Sequence, residues 1–238
     1  MHLLPLQVRN FFTSQRSTPA TTPLPPADED DHLWKGSNLS GAKPPNTTRV
    51  LFHNIRGTKT GTGNDKGLDI LTAEQELLQA DVQGISEHLL DTQKYSVVNA
   101  LQSQLRRDYP GQATLQIDSS NAHATNHYKP GGTAILALGD IVGRLEPKGK
   151  DGDHLGRWSY LHFRRHNQAP LTIISVYQVN PHPTNPVGNA AWHQQRRFLD
   201  LTGRDHVHPR KAFIDDLIAQ AKQFQERGHD IIIGGRLQ

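Results

Sequence analysis

Leu171-Thr-Ile-Ile-Ser-Val-Tyr177 is the stretch on which the fold turns. Its apolar and β-branched side chains fall at odd and even positions alike, so it has no wet face and reads as a strand inside a sheet. Asp230-Ile-Ile-Ile-Gly-Gly235 has the same character and leads into a tight turn. Two helical patterns lie between them. One runs from about Trp192 to Leu201 and puts Gln194, Gln195, Arg196 and Arg197 on its wet side. The other opens at Pro209, carries Phe213, Leu217, Ala221 and Phe224 as one stripe, and stops at Gly228.

Working back toward the N-terminus, Trp158–Phe163, Gly132–Leu138, Ala113–Ile117, Val82–Ser86 and Arg49–Ile55 read as further strands. Period two puts Val50, Phe52 and Asn54 on one face of the first. Val97, Val98, Leu101 and Leu105 recur at helical spacing, and Pro110-Gly111 ends that helix. Thr72-Ala-Glu-Gln75 has the pattern of a capping box, which predicts a helix over about 72–80. Arg164, Arg165 and His166 read as a charged hairpin turn. Strands thus mingle with a few helices without regular β-α-β alternation. That pattern predicts a two-layer sheet core with helices packed outside.

Composition narrows the chemistry. The 238 residues suffice for one sizeable domain, or a domain and a tail. The absence of cysteine excludes a disulfide scaffold, a Cys-ligated zinc site and a thiol nucleophile. A net charge of +3 permits a nucleic-acid partner without demanding one. No apolar run approaches the roughly 20 residues that span a bilayer. The apolar start Met1-His-Leu-Leu-Pro-Leu6 is too short for a signal peptide. The expectation is a protein off the membrane, intracellular, in the nucleus or cytoplasm.

Residues 1–46 read as a disordered tail, rich in Pro and Thr over Ser17–Pro26 and acidic over Asp28–Asp31. The domain is expected over 47–238.

Three strand ends carry polar groups suited to a site: Asn54, Glu87 with His88 behind it, and Tyr177. A fourth ends at Gly234-Gly235, followed by Arg236. A rigid sheet aims such groups while the loops around them vary. The order of these segments, with Asp81-Val-Gln-Gly-Ile-Ser-Glu87 and Lys129-Pro-Gly-Gly-Thr-Ala-Ile135, resembles the endonuclease/exonuclease/phosphatase family over about 48–238. Gly156-Arg-Trp-Ser-Tyr160, Tyr177-Gln-Val179 and Ala191-Trp-His-Gln-Gln195 are similar to its retroelement-type endonuclease branch.

The resemblance implies an α/β (α+β) fold, a four-layer sandwich of two packed mixed β-sheets with outer helices. It implies Mg²⁺- or Mn²⁺-dependent cleavage of phosphate esters, with DNA as the partner. Glu87 and Asn54 match the metal-holding Glu and Asn, and Tyr177 matches the phosphate-contacting Tyr. A hard dication takes oxygen ligands and keeps several waters, so this donor set suits it.

One departure stands out. The family turn Gly-Asp-x-Asn is here Gly235-Arg236-Leu237-Gln238, with a cation in the place of the general base. Arginine stays protonated and cannot act as a base, but it can bind phosphate as a fork. The family's later strands, with a further Asp and a His, are missing from this sequence. The expectation is a C-terminally truncated domain, incomplete in its last strands, with turnover near background. A phosphatase of the same fold and a non-catalytic nucleic-acid- or protein-binding remnant are the alternatives.

The individual residues keep plainer readings. Glu87 can be an exposed strand-end acid, Asn54 a turn former and Tyr177 a core residue. His88 reads as solvated, and most of the fourteen histidines as surface residues. The glycine-rich loop Gly57–Gly67 fails phosphate-loop spacing and reads as flexible, with Lys59 and Lys66 able to touch a nucleic-acid backbone.

Overall fold

The computed structural model describes residues 42–57, 66–122, 129–180 and 188–237. Its elements run β1 (Val50–Asn54), α1 (Lys66–Leu77), β2 (Val82–Ser86), α2 (Tyr95–Asp108), β3 (Ala113–Asp118) and β4 (Thr133–Leu138). They continue with β5 (Gly149–Lys150), β6 (Trp158–Phe163), β7 (Leu171–Tyr177), α3 (Ala191–Leu201), α4 (Pro209–Glu226) and β8 (Asp230–Arg236). One sheet has the order β1-β2-β4-β3 and the other β5-β6-β7-β8. Both are mixed: β1 runs parallel to β2 and β7 parallel to β8, while the other pairs are antiparallel.

Alternation along the central strands builds the layers. On β4, Ala134, Leu136 and Leu138 pack under α1 and α2 with Leu68, Leu71, Leu101 and Leu105. Ile135 and Ala137 face the other way and meet Leu161, Phe163 and Ile173 between the sheets. On β7, Ile174 and Val176 turn outward onto Phe213, Leu217 and Phe224 of α4. The expected four-layer arrangement, two packed sheets with outer helices, is therefore the observed one.

The face predicted for β1 holds as well. Phe52 packs into the seam between sheets, where a Cβ added at Gly84 or at Gly234 would overlap its ring. Those two glycines let β2 and β8 approach the ring, and β1 and β8 pack together at neighbouring sheet edges.

Three local expectations need correction. The first helix starts at Lys66, so Thr72 is no cap. Its hydroxyl donates to the carbonyls of Leu68 and Asp69, the back-bonding habit of a mid-helix Thr. Gln194 and Gln195 are not on a wet face: both are buried, with His193 beside them. The start of α3 tucks under the rim of the sandwich, which turns that face inward. His88, read as solvated, is buried, as are His162 and His193. The two-residue β5 carries too little pattern to be read from sequence.

Lys43 is tied to the domain by its ammonium, 2.6 Å from Asp81, and by its backbone N–H, which donates to Gln79. Residues 1–41, most of the predicted tail, lie outside the described residues. Among the described residues no helix is long and apolar enough to cross a membrane.

Candidate active site

The rim forms where four parallel-paired strands end. In register, Asn54 stands opposite Ser86, the residue before Glu87, and Tyr177 stands opposite Arg236. Two hydroxyls stitch the sheets together just below. Ser86 Oγ donates to the Val176 carbonyl at 2.8 Å, and Ser175 Oγ to the Ile85 carbonyl at 3.1 Å. Side chains 149 residues apart then meet across the seam: Arg236 Nη1 donates to Glu87 Oε2 at 2.7 Å. The same guanidinium lies 5.7 Å from the Tyr177 ring centroid. Glu87, Tyr177 and Arg236 are thereby one cluster, with Asn54 on the adjoining strand end.

Each member is held differently. Glu87 has φ +61, a left-handed conformation that costs an ordinary side chain on the order of 1 kcal/mol or more. Its N–H is fixed by the Gly132 carbonyl at 2.8 Å. The backbone of Tyr177 is pinned by the Arg157 carbonyl, which accepts its N–H at 2.8 Å. Burial, and then the Glu87 carboxylate, push the Tyr177 phenol up to about 12, so it stays a hydrogen-bond donor at any working pH. Its hydroxyl has no partner among the described residues. Asn54 is exposed, and its Oδ1 accepts the Arg56 N–H at 3.2 Å, the geometry of a turn former.

His88 does not join the cluster. It is 1% exposed, accepts the Leu90 N–H on Nδ1 at 3.0 Å, and pairs Nε2 with the Asp118 carbonyl at 2.8 Å. That arrangement places its proton on Nε2, and burial drops its pKa to about 4. It is a neutral core histidine, which corrects the solvated reading. Lys59 lies outside the described residues, as does the side chain of Lys66 at the start of α1.

Sequence reading missed the support of the site. Arg157 is 2% exposed and grips Asp151 through Nε at 2.6 Å and Nη2 at 2.9 Å. It also reaches Asp153 at 2.8 Å and Asp216 of α4 at 2.7 Å. The one available signal was an Arg followed by Trp at the head of an apolar strand; the guanidinium lies 4.5 Å from the Trp158 ring centroid. Gly131 was also missed. A Cβ there would meet the Tyr177 ring at 3.1 Å and Ala191 Cβ at 3.2 Å, so the start of α3 borders the tyrosine.

The class defined by this geometry is a four-layer α/β sandwich with a polar rim at the joined strand ends. Neither a protein-family profile nor a curated protein sequence matches the chain. Among solved structures it is similar to an endonuclease/exonuclease/phosphatase family protein from Leptotrichia buccalis. The TM-score is 0.38 at 13% identity, covering 65% of this chain and 63% of that one. It is also similar to an AP endonuclease from Leishmania major (TM-score 0.41, 16% identity, 56% of this chain and 40% of that one). A third likeness is to an AP endonuclease from Archaeoglobus fulgidus (TM-score 0.37, 12% identity, 66% and 49%). The chain spans less than two thirds of the length of each.

Proposed function

We propose that this chain is a phosphodiesterase-type domain of the endonuclease/exonuclease/phosphatase family. On this reading it occupies 47–238, descends from a retroelement-type endonuclease acting on DNA, and does not itself turn over substrate. The observation that carries the reading is the convergence of Glu87, Tyr177 and Arg236, with Asn54 alongside, at one rim of paired sheets. A hydrolase of this class needs a carboxylate, a phosphate-orienting donor and a base within reach of one phosphate. The first two are represented by Glu87 and Tyr177. The base position holds Arg236, and a guanidinium cannot take a proton from water.

The Mg²⁺ or Mn²⁺ implied by the family resemblance does not fit the donor set as the side chains stand. Among the described residues no three His, Asp or Glu gather to hold an ion. Glu87 Oε2 already accepts from Arg236, and Asn54 Oδ1 accepts from its own turn. A dication at Glu87 would also face a fixed positive charge.

General acid–base groups each contribute roughly 10²–10⁴-fold, so a chain without its base is expected to sit near background. The test is nicking of supercoiled plasmid by the purified chain, with and without Mg²⁺, beside Glu87→Ala. No nicking above buffer is expected in any arm. Mg²⁺-dependent nicking that disappears in Glu87→Ala would refute the inactive reading.

A further inference from the structure

The rim presents donors that no described residue satisfies. Arg236 spends one N–H on Glu87, and its remaining guanidinium N–H groups have no partner among the described residues. The Tyr177 hydroxyl is likewise unpartnered there. Beyond Gly131 lies the start of α3, which has no side-chain cap. The Ala190 carbonyl receives the N–H groups of His193 and Gln194, and those of Ala191 and Trp192 have no partner among the described residues. Cationic fork, phenol and helix start all favour an anion, and the fork and an uncapped helix start suit phosphate. The Arg236 and Glu87 side chains are 18% and 21% exposed, so an anion from solvent can reach the pair.

We infer that the Arg236 guanidinium stands in for a divalent cation: the rim takes a phosphodiester with no metal, and Glu87 competes with that anion for the guanidinium. This rests on the phosphodiesterase-type reading above and adds to it a metal-free ligand mode and a changed role for Glu87. A dication can hold a carboxylate and a phosphate together. A guanidinium with one edge on Glu87 offers the phosphate only its remaining N–H groups, and the two anions repel each other across it. Glu87 thus acts as a built-in rival that keeps the site closed when no ligand is present.

The test uses the full chain and a fluorescein-labelled oligothymidylate, with binding followed by anisotropy in EDTA and in millimolar Mg²⁺. Binding in EDTA is expected, with no gain from Mg²⁺. Arg236→Gln is expected to weaken it about tenfold or more, the loss of a charge-assisted pair. Glu87→Gln is expected to tighten it about threefold or more. Glu146→Gln removes the same charge beside β6, at the end away from the rim, and is expected to change affinity less than about twofold. Inorganic phosphate is expected to displace the strand better than chloride at matched ionic strength.

The inference is overturned if binding requires Mg²⁺, if Glu87→Gln weakens it, or if phosphate competes no better than chloride. It is also overturned if water-proton relaxation shows Mn²⁺ held by the wild type and released in Glu87→Gln. Mg²⁺-dependent nicking with metal-free binding intact refutes only the inactive reading. Absent nicking with no binding in EDTA refutes only this inference.

Discussion

Arg236 donates to Glu87 at 2.7 Å across the seam between the two sheets, joining the end of the last strand to the end of the second. The pair is partly exposed, so its net contribution lies near that of surface pairs, about 0.5–1 kcal/mol. A double-mutant cycle of Glu87→Gln and Arg236→Gln in urea is expected to return a coupling energy of that size. Zero coupling would mean that the two side chains part in solution, and the account of the rim as a closed pair would go with it.

Arg157 presents the opposite case. It and Asp151 are both buried, and the same guanidinium reaches Asp216 of α4. Truncating one partner of a buried pair leaves the other charge unpaired, at a cost of about 3–5 kcal/mol. Arg157→Ala is therefore expected to lose that much stability by chemical denaturation, several-fold more than Arg236→Gln. Arg157→Lys keeps the charge but cannot grip Asp151 with two parallel bonds, and is expected to recover only part of the loss. Because the Arg157 carbonyl holds the Tyr177 N–H, the Tyr177 amide resonance is expected to shift in both variants.

The strands were legible because they carry unmistakable apolar runs: Leu171–Tyr177 is buried on both faces, whereas Asp230–Gly235, read as equally buried, forms an only partly buried strand at the end of its sheet. Glu87 and Tyr177 were legible as site candidates because strand ends are where a sheet aims polar groups. The pairing of Arg236 with Glu87 was not, because sequence carries no distance between residues 149 apart. His88 was misread for a related reason: a polar residue after a strand end looks solvated unless its acceptor, here the Asp118 carbonyl, is known. Gln194 and Gln195 sit on a helix whose inward face is set by what it packs under, and composition alone cannot fix that phase. Thr72 had the spacing of a cap, but tertiary packing extended the helix one turn and a half upstream of it.

Buried histidines steepen the acid limb of the stability curve, and His53, lowered by burial, acts in the same sense as His88 and His162. Burial lowers His88 to about 4 and, with help from His229 and Arg227, His162 to about 4. Unfolded, each takes a proton below about 6.5; folded, only below about 4. The unfolded chain therefore binds more protons in that window, and stability is lost as pH falls through it. Two such groups give a slope of up to about 2.7 kcal/mol per pH unit. Asp118, held above its ordinary range by burial, works in the opposite sense near its own titration. Urea midpoints across the window are expected to show the decline. His88→Gln and His162→Gln are each expected to flatten it by about one proton's worth, and unchanged slopes would show that these histidines charge freely in the fold.

Phe52 sits where two glycines allow it, and this makes the seam sensitive to a single methyl group. A Cβ at Gly84 would overlap the Phe52 ring and press on Ser175 Cβ at 3.1 Å; one at Gly234 would overlap the same ring. Ser175 in turn bonds the Ile85 carbonyl, so neither strand can retreat without breaking a cross-sheet contact. Overpacking of this kind costs about 1–3 kcal/mol, and Gly84→Ala is expected to fall in that range. Phe52→Leu removes the ring edge that the methyl would strike. It should destabilise the wild type by leaving space in the seam, yet destabilise Gly84→Ala less, because the new methyl fills part of that space. Additive losses in the double variant would place the ring outside the seam and would remove the glycine pair as the reason β1 and β8 can share one rim.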